Sequence, residues 1–392
     1  MLALRLARRS HPLVLLRRLL VTAAAFGTGF LLLSTLGHAA GHPASAGDSP
    51  ARLLWCAAPL AATAQLAASV ARTDPAARLH RGMAAAGLGP LRLALLAAAS
   101  TALFCLLGVL LSLLAFLRLR GDLGGAPSTA ADGLGIGSDV LGTGHPFPLV
   151  GALMLLSVVP LTAAATTAVA LRPRSADIAP EEEAPTKAAN PSGLPWGMAL
   201  TAAGLAIEAY ASRGTVTSGG LLPLPGRLVS NPSGVLGGWV LSTVGLVLAG
   251  PGLVHLCGRL LCAGRPGGLR LLAGRVLQEE SRRLGRPLGV LCAVASATYA
   301  AVHVYNTAPT RPYGPLTAIG AVVVLVGVTA SALAAALESR SARARTTAAL
   351  RRLGAPGSTL RRAAALRAAA VGIVVGPLTW AVAEMATLPL LR

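Results

Sequence analysis

The sequence predicts an all-α, polytopic integral membrane protein with about nine transmembrane helices, nine or ten. Three observations predict it. Of 392 residues, 54% are hydrophobic and 12% charged, with a mean hydropathy of +0.66, whereas soluble domains carry roughly 25% charged residues. The apolar residues are gathered into runs close to the ~20 residues that cross a bilayer as a helix. The basic residues fall in alternate segments between those runs.

The runs are, in chain order, Leu19 to Ala39, Leu53 to Ala71, Leu93 to Leu117, Leu149 to Leu171, Trp196 to Ser212, Val235 to Leu256, Leu288 to Val304, Leu316 to Leu337 and Ala368 to Leu388. The fifth and seventh are the shortest. Short loops hold Lys and Arg on the cytoplasmic side. With the N-terminus inside, the inner segments hold 27 of the 34 basic residues and the outer segments 7. The expected topology is N-terminus cytoplasmic and, with nine spans, C-terminus outside.

The start, MLALRLARRSHPLVLLRRLL, has the basic opening of a secretory signal, but Arg17 and Arg18 split its apolar stretch. It reads as an amphipathic helix on the inner membrane surface, leading into an anchored first span. A net charge of +20 invites comparison with nucleic-acid binders. Those concentrate basic residues on one soluble face and interleave aromatics to stack bases. Here Arg is spread over every inner segment and aromatics are 3%, so no nucleic acid is expected. Anionic membrane lipid and a cytoplasmic partner account for the charge.

Chemical signatures are sparse. The one lysine, Lys187, is followed by Ala188, so no Walker A lysine precedes a Ser or Thr and no enzyme activity or bound cofactor is expected. Cys56, Cys105, Cys257, Cys262 and Cys292 lie in or beside spans without disulfide or zinc spacing. His38, His255 and His303 sit near span ends, where interfacial solvation is the ordinary explanation, and no metal site is expected. The acidic run Glu181 to Glu183 lies among Pro180, Pro185 and Pro191 and reads as a solvated linker. Glu208 and Glu384 are the acidic residues inside spans. Such groups are functional candidates by default, although a snorkelling or Arg-paired carboxylate explains their positions near span ends better than a proton relay.

An internal repeat stands above this background. The segment after the second span reads RTDPAARLHRGMAAAGLGPLRLALL, and the one after the eighth reads SRSARARTTAALRRLGAPGSTLRRAAALR. Aligning Gly87 with Gly354 pairs Met83 with Leu350 and Ala86 with Leu353. Each is expected to be a short amphipathic helix closed by a glycine in the left-handed conformation, a turn carrying Pro90 or Pro356, and a basic stretch into the next span. A second echo joins LRLLAGRVLQEESRRLGRPLGVL, before the seventh span, to LRLARRSHPLVLLRRLLVTA, before the first. The chain then parses as a first unit over 1–172, a linker and two-span connector over 173–264, and a second unit over 265–392.

Ala349 to Pro356, ALRRLGAP, and more weakly Gly82 to Pro90, GMAAAGLGP, resemble the "Leu-x-x-Leu-Gly-Ala" stretch of the FtsX-like permeases, the membrane subunits of MacB-type ABC transporters. The layout is similar to two FtsX-like units joined by a two-helix connector, as in permeases associated with antimicrobial-peptide export. It departs from them in two ways. Only Tyr305 to Pro315 separates the seventh and eighth spans, where those permeases carry a large extracellular domain, and the family's tenth span does not follow the ninth.

The resemblance implies a permease subunit that couples a separate cytosolic ABC ATP-binding subunit to export or extraction of a lipophilic or peptide substrate, with ATP bound by the partner. It implies an ATPase-coupling surface made by Arg81, Met83, Gly87 and Pro90 in the first unit and Leu350, Arg351, Arg352, Leu353, Gly354 and Pro356 in the second. A secondary transporter with a midplane site and a non-transporting regulator driven by an ABC ATPase are the alternatives.

Overall fold

In the computed structural model the described residues are 12–41, 53, 55–73, 90–122, 147–171, 193–211, 232–264, 267–307, 315–354 and 356–387, and they contain no strand. Ten helices follow one another: α1 (Pro12–Gly41), α2 (Ala57–Thr73), α3 (Pro90–Arg120), α4 (Leu149–Leu171), α5 (Gly193–Ala211), α6 (Pro232–Cys262), α7 (Gly268–Thr307), α8 (Pro315–Ala342), α9 (Ala344–Arg352) and α10 (Gly357–Thr387).

Among the described residues, seven helices, α1, α3, α4, α6, α7, α8 and α10, are long and apolar enough to cross a membrane. The second and fifth runs form helices as well. However, α2 has 17 residues, and α5 is diluted by Gly, Pro, Trp and Glu208 over its 19. The exposed faces are those of a membrane-embedded protein. On α3, Leu103, Leu106, Leu107, Leu110, Leu111 and Leu114 are all exposed, a continuous apolar stripe that water would not tolerate on a soluble monomer. The opposite face, Ala94, Ala98, Thr101, Cys105, Val109, Ser112 and Phe116, is buried. It repeats every three or four residues, as a packed helix requires.

The amphipathic lead-in expected before the first span is not a separate surface helix over its described part. From Pro12 it runs unbroken into α1, and the lead-in before the seventh span is likewise continuous with α7. Nothing between Pro12 and Leu19 terminates a helix, and Pro287 is absorbed within α7, as prolines are where neighbouring helices re-satisfy the freed carbonyl. At ~1.5 Å per residue α7 is about 60 Å long, twice a ~30 Å hydrocarbon core. Its charged first part therefore stands clear of the apolar part that begins after Pro287.

The chain divides into two compact units, residues 1–180 with 313–331, and residues 181–312 with 332–392. In the first, α1 packs on α3, and α4 packs on α2 and α3. Its core is built on Leu33, Leu66, Cys105, Phe116, Leu156 and Val159. Thr28 of α1 and Thr63 of α2 share a buried hydroxyl hydrogen bond of 2.8 Å, a polar tie of the kind that joins helices in lipid. The N-terminal part of α8 belongs here, with Ile319 against the core.

In the second unit α6 lies between α5 and α7, and α10 packs on α7. The close approaches run antiparallel from α5 to α6 and again from α6 to α7. Gly197 meets Ala249 and Gly204 meets Gly238, while Gly258 meets Gly274 and Gly250 meets Gly285. A methyl group added at Gly204 would lie 2.6 Å from the Gly238 carbonyl oxygen, and one at Gly258 2.8 Å from that of Gly274. These helices thus touch backbone to backbone, which small residues permit.

Candidate functional site

Two places in the second unit concentrate the polar chemistry, and they lie at opposite ends of α10.

The first is the corner between α8 and α10. Helix α9 spans nine residues, ARTTAALRR. It ends as the sequence predicts: Gly354 has φ +92°, Leu353 N–H donates to the Ala349 carbonyl and Gly354 N–H to that of Arg351. A left-handed residue at this position turns the chain and satisfies the last carbonyls, and glycine adopts it without a Cβ clash. Pro356 then precedes α10, and its carbonyl accepts from Thr359 N–H.

The turn before α9 is tied to α7 by an ion pair. Arg343, the residue before the helix, makes no side-chain cap. Its guanidinium turns back to the Ser339 carbonyl and hydroxyl, each at 3.1 Å, and its Nε pairs with Glu280 of α7 at 2.6 Å. The two side chains are 22% and 13% exposed. Burial pushes the Glu280 carboxyl above its ordinary range, and neighbouring Arg343 and Arg283 only partly offset this. The pair therefore fixes geometry more than it stabilises.

The sequence-predicted coupling residues fall here in part. Leu350, Arg351 and Arg352 are on α9, followed by Leu353, Gly354 and Pro356. Arg351 and Arg352 are exposed, and Leu353 is 84% exposed. Of the first-unit set, Pro90 opens α3, a position where its missing N–H costs nothing, while Arg81, Met83 and Gly87 lie outside the described residues. So does the acidic run Glu181 to Glu183.

The second place is the other end of the unit. Glu208, on the C-terminal half of α5, is 1% exposed. One carboxyl oxygen accepts a 2.6 Å hydrogen bond from the Trp239 indole N–H of α6. The other oxygen is buried and has no hydrogen-bond partner among the described residues. The expected snorkelling or Arg-paired carboxylate is therefore not what is found at Glu208. The heptad spacing of Gly197, Thr201, Gly204 and Glu208 puts all four on the buried face of α5, which turns the acid inward against α6.

Glu384 of α10 is partly exposed and accepts a 3.1 Å hydrogen bond from the Tyr299 hydroxyl of α7. The Tyr299 ring stacks on His303 at 6.2 Å. His255, expected to be solvated at an interface, is 8% exposed instead, because α6 is covered by both α5 and α7. Sequence reasoning missed Trp239, Tyr299, Arg343 and Glu280. Lone aromatics and one acid among many arginines carry no motif, and only packing pairs them.

All five cysteines are free, and among the described residues no group of His, Cys, Asp or Glu could hold a metal. No protein-family model, curated protein or solved structure matches this chain.

Proposed function

We propose that the chain is the permease subunit of an ABC transporter of FtsX-like type, coupling a separate cytosolic ATPase to export or extraction of a lipophilic or peptide substrate. In this reading all nine apolar runs are spans, two FtsX-like units flank a two-helix connector, and the N-terminus faces the cytoplasm of a bacterium. One observation carries it: α9 is a short, basic, exposed helix set between two long apolar ones. It is closed by a left-handed glycine and latched to α7 through Arg343 and Glu280. A protein that pushes on α9 pushes on three long helices at once. The exposed Leu353 and the paired arginines give such a partner an apolar contact within a basic frame.

The test is co-purification. Replacing Leu350 and Leu353 by Asp should abolish capture of the ABC ATPase encoded with this chain while membrane insertion is kept; undiminished capture would reduce α9 to a turn seated on lipid.

A second reading, a secondary transporter, draws on buried Glu208, since ionisable groups inside membrane helices often lie on ion pathways. Substrate flux that persists without any ATPase and stops in Glu208→Gln would decide for it.

A further inference from the structure

Glu208 has a role that rests on neither reading of the transport mechanism. Its side chain is closed in where α5 and α6 lie close together. A methyl group on Gly238 would lie 3.0 Å from both the Cβ and the backbone nitrogen of Glu208, and 2.7 Å from the Gly204 carbonyl oxygen. Beside it, the Ser242 hydroxyl is directed to the Thr201 carbonyl at 3.4 Å. Trp239 occupies one carboxyl oxygen, and the second is buried without a partner among the described residues.

Among the described residues, no positive charge faces the acid from α6 or α10, the helices packed on α5; Arg213 and Arg227 lie outside the described residues. On α5 itself the other titratable group is Tyr210, 83% exposed. On α6 none occurs until His255, about 24 Å along the helix from Trp239. On α10 the group at this end is Glu384, engaged by Tyr299. Arg361, Arg362 and Arg367 lie some 25 Å or more away along the same helix.

A carboxylate in this setting requires a cation, because a lone buried charge with one hydrogen bond costs several kcal/mol. A metal ion requires a shell of several oxygens, and beside the acid α5 and α6 touch backbone to backbone at Gly204 and Gly238, with the Ala211 methyl against Gly234 beyond it. A proton needs no room.

We propose that Glu208 is a proton-binding site. The free oxygen, Oε2, carries the proton while Oε1 holds the Trp239 indole. Release transfers the proton to water and leaves a carboxylate that must be hydrated, so it accompanies a parting of α5 from α6 at this end. Rebinding closes them. Protons taken up and released here give the second unit a pH-sensitive joint between two of its helices.

The experiment uses the full-length chain in lipid nanodiscs, in sodium-free buffer, with Trp55, Trp196 and Trp380 replaced by Phe so that emission reports Trp239. At neutral pH the infrared spectrum should contain the C=O stretch of a neutral carboxyl. That band should be missing in Glu208→Gln and retained in Glu384→Gln. Alkaline titration should remove the band and change Trp239 emission at the same pH, and the emission of Glu208→Gln should not respond. An unchanged band in Glu208→Gln, or Trp239 emission flat with pH in the otherwise unaltered chain, would overturn the proposal. So would a midpoint that moves with added sodium, because the site would then take a metal ion. If the Gln variant fails to assemble, the Trp239 titration of the parent chain still decides.

Discussion

At Gly354 a single dihedral separates a closed helix end from a strained one. With φ +92° and open space around the Cα, Gly354→Ala meets no steric contact but must hold a left-handed backbone. It should cost about 1 kcal/mol, read as a lower denaturation midpoint in micelles, and should loosen α9. The Arg343 and Glu280 pair should respond unequally. Because burial raises the Glu280 carboxyl above its ordinary range, folding favours its protonated form. The sign follows: its contribution is fully present below the ordinary carboxylate range and is lost as pH rises through the raised value. Glu280→Gln, which removes a costly charge, should therefore change stability by less than about 1 kcal/mol. Arg343→Ala leaves the acid buried beside fewer cations and should cost about 1–3 kcal/mol. Equal losses from the two changes would mean that the pair stabilises in the ordinary way.

Among the helices, the decisive surface is the glycine-lined face of α6. Gly204→Leu and Gly238→Val place side chains where backbone already stands at 2.6–2.7 Å. Each should destabilise the second unit by about 1–3 kcal/mol or more, the usual penalty of overpacking. Gly372→Leu on α10 is the control, since nothing lies within 4 Å of a Cβ there, and it should be tolerated. Thermal aggregation in detergent reads out all three. Tolerance of Gly204→Leu would show that α5 and α6 do not approach this closely in the membrane. Several of these glycines were visible in the sequence as Gly-rich spans, but not which faced a neighbour. The spacing of Gly238, Gly245 and Gly252 marks one face of α6, whereas Gly250 and Gly258 turn to α7.

For the whole molecule, the charge split between alternate segments predicts that cysteines introduced at Ser45, Ser138 and Ser218 react with an impermeant thiol reagent in intact cells, and that one at Ser341 does not. Labelling of Ser341 alone would invert the orientation. Because the apolar faces of α3, α4 and α10 are largely exposed, the chain should also stay with membranes through alkaline carbonate and leave them only with detergent. Release by carbonate would contradict membrane embedding.

The helical membrane class was legible from composition and run length, because lipid enforces internally satisfied backbone over about 20 residues, and that constraint is written in hydropathy alone. The end of α9 at Gly354 was legible for a similar reason: the left-handed cap is a local property of one residue and its neighbours. Pairings between helices were not legible. Glu208 was visible as an unusual acid, but its burial beneath Trp239 depends on how α5 turns against α6, and hydropathy is silent on rotation about a helix axis when every face is apolar. Arg343 and Glu280, 63 residues apart in sequence, meet only because α7 continues unbroken through its charged lead-in. The sequence by itself determined that the chain consists of membrane helices and where one of them stops. Only the tertiary structure decided which faces meet, because in lipid the choice of partner is made by close backbone approach and hydrogen bonding between helices, not by apolar burial.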